Sequence, residues 1–318
     1  MKEITFIKRN RQTWDEFEKI IENPGHTSSD KLAGLYLKIT NDLAYSKTYF
    51  PSGKVTAYLN ELASKAHFLI YRNKKTKQKS IFKFWTHTYP LLFREIRKEF
   101  LISSIIFFIA VLIGILSVKN DRTFVRLILG NDYVNMTEEY IKNGEPMAVY
   151  KSMNQAEMFL GITLNNIKVA FFAFVSGITL SIGTGYLLFS NGVMLGTFQC
   201  FFAQKGLFLD SFSTIWIHGT IEIFSILVAG AAGLVLGNSI LFPGTYTRKY
   251  SFSQSVRKSA KIVGGLVPFF IIAGFLEGFV TRYANMPLWI KLSIIIASLI
   301  IIIFYFFIYP EKLKKSQS

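Results

Sequence analysis

Residues 161–222 set the terms for the whole chain. The stretch GITLNNIKVAFFAFVSGITLSIGTGYLLFSNGVMLGTFQCFFAQKGLFLDSFSTIWIHGTIE is apolar enough to sit in lipid. It also carries side chains that lipid expels: Asn165, Asn166, Asn191, His218 and Glu222. A charged residue at the centre of a spanning helix costs about 2.5–3.5 kcal/mol on insertion scales, so such residues turn inward and find a partner or a role. Long apolar runs recur through the last two thirds of the chain. Each approaches the roughly 20 residues that a spanning helix needs. With 51% hydrophobic residues among 318, the chain is too apolar for an ordinary soluble domain.

The predicted fold is therefore all-α: a polytopic membrane protein of about six transmembrane helices behind an amino-terminal cytoplasmic helical domain. The spans are read at 101–118, 166–189, 192–205, 212–236, 262–280 and 288–309. Ser190-Asn191-Gly192 is a turn signal between two apolar runs, so spans two and three are expected to form a hairpin there. The third span is short and is read as a candidate re-entrant segment, which protein would have to shield.

Residues 1–80 read as a water-facing helical bundle. Trp14, Phe17, Ile20 and Ile21 recur at helical spacing; so do Leu32, Leu35, Tyr36, Ile39 and Leu43, and then Val55, Tyr58, Leu59, Leu62, Ala66 and Leu69. Asn23-Pro24-Gly25 and Pro51-Ser52-Gly53 break the helices, and Ser28-Ser29-Asp30 supplies a cap. A basic run, RNKKTKQK, fills 72–79. The segment 81–100 mixes aromatics with Lys83, Arg94, Arg97 and Lys98 and is read as an interfacial amphipathic helix kinked at Pro90. His87 is read as a surface residue. The first twenty residues, MKEITFIKRNRQTWDEFEKI, hold no apolar core or cleavage site of a secretory signal, so the first span is expected to direct insertion.

Net charge is +16, from 36 Lys and Arg against 20 Asp and Glu. The excess fits membrane topology better than nucleic-acid binding. Arg248, Lys249, Arg257, Lys258 and Lys261 crowd the segment 237–261, and Lys312, Lys314 and Lys315 the tail, 310–318. An even number of spans puts both on the cytoplasmic side with the basic amino-terminal domain. The loop 119–160 on the other side balances its bases with Asp121, Asp132, Glu138, Glu139, Glu145 and Glu157, and is expected to be partly helical around Tyr133 and Tyr140. Pro243-Gly244 opens the basic loop. The lone Cys200 forms no intrachain disulfide.

The chain resembles the stage II sporulation protein M family of bacterial membrane proteins. The resemblance rests on Asn165-Asn166, Gly183-Thr184-Gly185, Asn191-Gly192 with Leu195-Gly196, and His218-Gly219-x-x-Glu222. It rests further on Gly233-Leu234-x-x-Gly237, Pro243-Gly244 followed by Arg248, and Glu277-Gly278-Phe279-Val280-Thr281. In the amino-terminal part Tyr36, Asp42-Leu43, Tyr49-Phe50-Pro51, Tyr58-Leu59-Asn60 and His67 are similar to the family pattern. Arg282 departs from it, standing where a proline is expected. The resemblance implies a multi-span protein of the bacterial cytoplasmic membrane. It also implies an anchor for a cell-wall-degrading complex where the family acts in engulfment.

The sequence contains no Walker A, HExxH, Gly-x-Ser-x-Gly or CxxC motif. The favoured expectation is a non-catalytic scaffold linked to cell-envelope or peptidoglycan remodelling. Its partners would be the bilayer and other membrane or envelope proteins, with no nucleic acid and no cofactor; homo-oligomerisation is left open. The alternative is a small-solute or lipid-related transporter or channel-like protein built on the polar spans. An intramembrane enzyme using His218 and Glu222 as acid and base is a third reading. The candidate binding cluster is Asn165, Asn166, His218, Glu222 and Glu277, expected in the outer half of the bilayer with Asn165 and Asn166 at the outer end of span two. Asn191, Gly192, Pro243, Gly244 and Arg248 are assigned to structural turns and loops. No catalytic residue and no metal is assigned: one His and two carboxylates fit zinc in number, but no familiar motif frames them.

The charge asymmetry predicts that both termini are cytoplasmic. A reporter fused after Ser318 is expected to be active in the cytoplasm, and one inserted near Asn135 only outside it. A tail reporter active only outside overturns the six-span count.

Overall fold

The computed structural model describes residues 2–22, 29–71, 81–146, 148, 154–283 and 286–315. The chain divides into two units, Met1–Ser80 and Ile81–Ser318. The expected break at Asn23–Gly25, the Ser28 cap, the basic run 72–79 and the side chains of His67 and Leu69 lie outside the described residues.

The first unit has three helices: α1 (Glu3–Glu22), α2 (Ser29–Tyr49) and α3 (Lys54–Tyr71). Trp14, Phe17, Leu35, Ile39, Val55, Leu59, Leu62 and Ala66 meet in one core, joined by Phe6 because α1 starts well before Trp14. Polar contacts tie the helices. Trp14 Nε1 donates to Asp42 Oδ2 at 2.8 Å, and the Tyr58 hydroxyl donates to Glu18 Oε2 at 3.1 Å. Burial, then the Glu18 charge, push the Tyr58 phenol up to about 12.

In the second unit a π turn, Phe84–Thr88, runs into α4 (Tyr89–Glu95) with Pro90 in its first turn. The backbone passes through Pro90 and breaks at Ile96 instead, with φ −109° and ψ 16°. Tyr89, Phe93 and Ile96 are buried in the membrane unit's core.

Among the described residues, six helices are long and apolar enough to cross a membrane. The first is α5 (Arg97–Asn120). Two short helices, α6 (Phe124–Leu129) and α7 (Asn131–Lys142), follow it. The second span is α8 (Gln155–Val175) with a 3₁₀ turn, Ser176–Ile178; the third is α9 (Ile182–Gln204). The fourth, α10 (Phe208–Leu241), runs 34 residues, about 51 Å at 1.5 Å per residue. The fifth joins α11 (Arg248–Gly264) to α12 (Val267–Phe275) and a π turn, Leu276–Val280. The sixth joins α13 (Leu288–Ile302), a π turn (Ile303–Ile308) and α14 (Tyr309–Lys315). α10 packs against all five other spans and is 83% buried over its apolar window.

This corrects the expected hairpin. The turn between spans two and three lies at Thr179–Ser181, where Leu180 and Ser181 take left-handed φ of 55° and 71°. Thr179 Oγ1 accepts the Gly183 N–H at 2.8 Å and caps α9. Asn191 and Gly192 are not a turn; both sit inside α9. The Asn191 side chain donates to Leu187 O one turn back, at 2.8 Å. Gly192 lets α5 approach, since a Cβ there would stand 2.5 Å from Phe107 O and 2.8 Å from Ala110 Cβ. The third span is therefore no re-entrant segment; its 23 residues reach about 34 Å, enough to cross. The basic segment 237–261 is also mostly helix. Pro243 and Gly244 lie in its short loop, with Gly244 at φ 66°, and Arg248 begins α11.

Two prolines interrupt helix ladders, and other helices answer them. Pro90 carries no N–H for the π-turn carbonyl of Trp85. The Tyr305 hydroxyl donates to that carbonyl at 2.6 Å. Near Pro310, Arg97 Nη2 donates to Phe306 O at 3.1 Å and Phe307 O at 2.8 Å. Arg97 and Arg94 both pair with Glu311, and Lys258 with Glu95 at 2.7 Å.

The Gly192 contact predicts opposite signs for one chemical change. Gly192→Ala is expected to lower the stability of the detergent-extracted protein by about 1–3 kcal/mol through overpacking. Gly185→Ala, in the same helix with no atom within 4 Å of the added Cβ, is expected to be neutral or stabilising by up to about 1 kcal/mol. Thermal melts of the two variants check this; equal melts contradict the close approach.

Candidate functional site

The polar residues of the spans gather in one cavity of about 550 Å³. Asn165, Asn166, Asn191, His218, Glu222 and Glu277 line it, with apolar walls from Phe107, Met194 and Phe198. Four elements supply these groups: α8, α9, α10 and the π turn after α12.

The depth of Asn165 and Asn166 differs from expectation. α8 begins at Gln155, so the pair lies in its middle turns and not at the outer end of a span. The apolar run beginning at 166 continues through a turn made by Leu180 and Ser181, and that misplaced the helix start. Asn166 is buried at 5% exposure beside the Glu222 carboxyl, and its Nδ2 makes no close hydrogen bond among the described residues. Asn165, one residue away, is exposed at the cavity rim.

His218 and Glu222 share one face of α10, one turn apart. Glu277 reaches them from the π turn, so that one ligand atom from each of the three lies within 4.8 Å of the others. His218 Nε2 stands 3.6 Å from Glu277 Oε2. His218 Nδ1 lies 3.2 Å from Thr281 Oγ1, and the Thr281 hydroxyl donates to Leu276 O at 3.1 Å. With the Thr281 hydroxyl hydrogen on Leu276 O, the contact is one in which Nδ1–H donates. Nε2 then carries the lone pair and faces the carboxylate.

The π turn makes this possible. Thr281 N–H donates to Leu276 O at 2.8 Å across the widened turn. The extra residue turns Glu277 toward α10, and π turns of this kind recur at functional sites.

Two polar residues near the cluster are not assigned to it from the sequence. Lys291 opens the sixth span, where a Lys reads as snorkelling to the interface. It is instead buried at 8% exposure and donates from Nζ to Thr214 Oγ1 at 3.0 Å. Thr214 lies one turn before His218 on the same face of α10. Asn191 reads as turn chemistry and becomes a wall of the cavity.

Beyond the span ends, Glu138 of α7 pairs with Lys205 at 2.8 Å and Arg126 at 3.2 Å. The Lys205 hydrogen bond holds its carboxyl below the ordinary value. The contribution of this pairing to α7 docking is present above the ordinary carboxylate range and is lost as pH falls through the lowered value, while the apolar contacts of Val134 and Ile141 remain.

A family model described as Stage II sporulation protein M matches residues 103–282. A second, described as Domain of unknown function (DUF8413), matches residues 4–72. No curated protein and no solved structure matches the chain.

The His218 geometry predicts a stability effect. Thr281→Val is expected to cost about 1–3 kcal/mol by leaving the buried Nδ1–H unpaired, whereas Thr281→Ser keeps the acceptor and the melting temperature. A Val variant as stable as the Ser variant contradicts the Nδ1–H assignment.

Proposed function

The chain belongs to the stage II sporulation protein M family, and from that premise we propose that it is a non-catalytic anchor of the bacterial cytoplasmic membrane. Both termini face the cytoplasm in this reading. The helical unit 1–80 engages partners there, and the segment between α5 and α8 engages envelope components outside, in the service of cell-wall remodelling.

The observation that supports the reading is the locking of α10. The Ser103 hydroxyl donates to Leu227 O at 2.8 Å and the Ser259 hydroxyl to Ala232 O at 2.9 Å. These bonds tie the first and fifth spans to the fourth inside lipid, where each is worth about 0.6–2 kcal/mol. The Thr184 hydroxyl likewise ties the third span to the second, at Ala173 O and 2.7 Å. A bundle fixed on its central helix suits an anchor. It does not suit a transporter, which must rock one half against the other.

The cavity favours a second reading, a transporter or channel-like protein for a small solute or lipid. The lining amides and carboxyls support this reading, because polar groups at such depth mark substrate and ion paths. Crosslinking in cells followed by extraction separates the two. The anchor reading expects defined envelope proteins on crosslinks placed in 121–154, and no solute flux in proteoliposomes. Flux that Glu222→Gln abolishes, with no captured partner, overturns it in favour of transport.

A further inference from the structure

We propose that His218, Glu222 and Glu277 form an intramembrane site for a divalent first-row transition ion of the zinc class. The inference goes beyond the anchor reading and stands or falls without it.

The donor set is one imidazole and two carboxylates, a combination that zinc accepts and that magnesium and calcium, which take oxygen ligands, do not seek. The three ligand atoms lie within 4.8 Å of one another. Two donors on a tetrahedral zinc ion stand about 3.4 Å apart, and the His218 Nε2 to Glu277 Oε2 separation is already 3.6 Å. Small side-chain rotations bring Glu222 to the same centre.

The surroundings match a metal site in a second respect. A ligating imidazole donates its other N–H to an oxygen that fixes tautomer and ring plane. His218 Nδ1 lies 3.2 Å from Thr281 Oγ1, and the Thr281 hydroxyl donating to Leu276 O is the arrangement in which Nδ1–H donates to it. This leaves the Nε2 lone pair directed at the carboxylates. Two carboxyl groups in a low-dielectric interior are neutralised by protons or by a cation held between them.

Asn166 adds a second observation. Its amide is buried, lines the same cavity beside the Glu222 carboxyl, and its Nδ2 makes no close hydrogen bond among the described residues. It is placed to hold a water or ligand group at the ion's fourth position, through its amide hydrogens. Lys291, the buried cation on this face of α10, is engaged by Thr214, one turn away from His218. The cavity leaves the fourth position open, as binding and catalytic zinc sites do and closed structural ones do not.

The test uses the full chain in nanodiscs, freed of any affinity tag and stripped with chelator. Zinc is then titrated against a chromophoric zinc indicator. One zinc per chain is expected. Glu277→Gln and His218→Ala are each expected to weaken binding at least 100-fold. Thr281→Val, which disturbs only the orienting contact, is expected to weaken it about 10–100-fold. The exposed His87→Ala is expected to change nothing. No zinc bound by the wild type, or full affinity in His218→Ala, overturns the proposal. X-ray absorption of the zinc-loaded wild type decides independently of any variant's folding. A shell of one nitrogen with two or three oxygens at about 2.0–2.2 Å supports the site. A sulfur-containing or multi-imidazole shell identifies binding elsewhere and refutes it.

Discussion

Everything in the membrane unit depends on enclosing α10. A helix packed by protein on all sides has no lipid-facing stripe on which to place its polar residues, so they must be answered by neighbours. Small residues make the enclosure possible: Ala229, Gly230, Ala231, Ala232 and Gly233 form an unbroken run in its second half. Backbones can then come close enough for Ser103 and Ser259 to reach carbonyls on α10 directly. In lipid the apolar effect no longer separates helix from solvent, and close contact with short hydroxyl bonds replaces it.

The same rule governs the helix interruptions. Each proline leaves a carbonyl without its donor, and lipid offers none. Tyr305 answers Trp85, and Arg97 answers Phe306 and Phe307. The Arg97 guanidinium also meets Glu311, so its charge is neutralised at the point where it repairs the backbone. The sixth span is fixed to the π turn at Trp85 by Tyr305 and to the start of the first span by Arg97, side chains completing broken ladders. At Leu276–Val280 the π turn has no following proline, and its reward is positional: Glu277 is aimed at His218.

The number of spans was legible because hydropathy records it directly. Their boundaries were legible only where turn chemistry was honest. Leu180 and Ser181 adopt left-handed φ without being glycine or asparagine, so nothing in their identity announced a turn. Ser190-Asn191-Gly192 carried the standard turn composition for other reasons: an amide bonded one turn back and a glycine needed for helix contact. The error propagated to Asn165 and Asn166, whose depth follows from the start of α8. His218, Glu222 and Glu277 were legible because ionisable groups in apolar runs stand out whatever the register. Lys291 was not, because a Lys at a span end has an ordinary explanation that burial on Thr214 alone removes.

The two ends of the bundle are built on opposite electrostatic terms. Where the first span begins and the sixth ends, bases are numerous and meet scattered acids: Arg94 and Arg97 with Glu311, Lys258 with Glu95. These pairs are partly exposed, and salt screens them. In the cavity the order reverses. Glu222 and Glu277 face one imidazole, away from bulk water. A positive rim at one end costs little in stability. A pair of carboxylates within the bundle costs more, since a hydroxyl or an apolar pair would close the same gap at less desolvation. Such groups hold their place only when neutralised by a proton, by the His218 imidazole or by the cation proposed above.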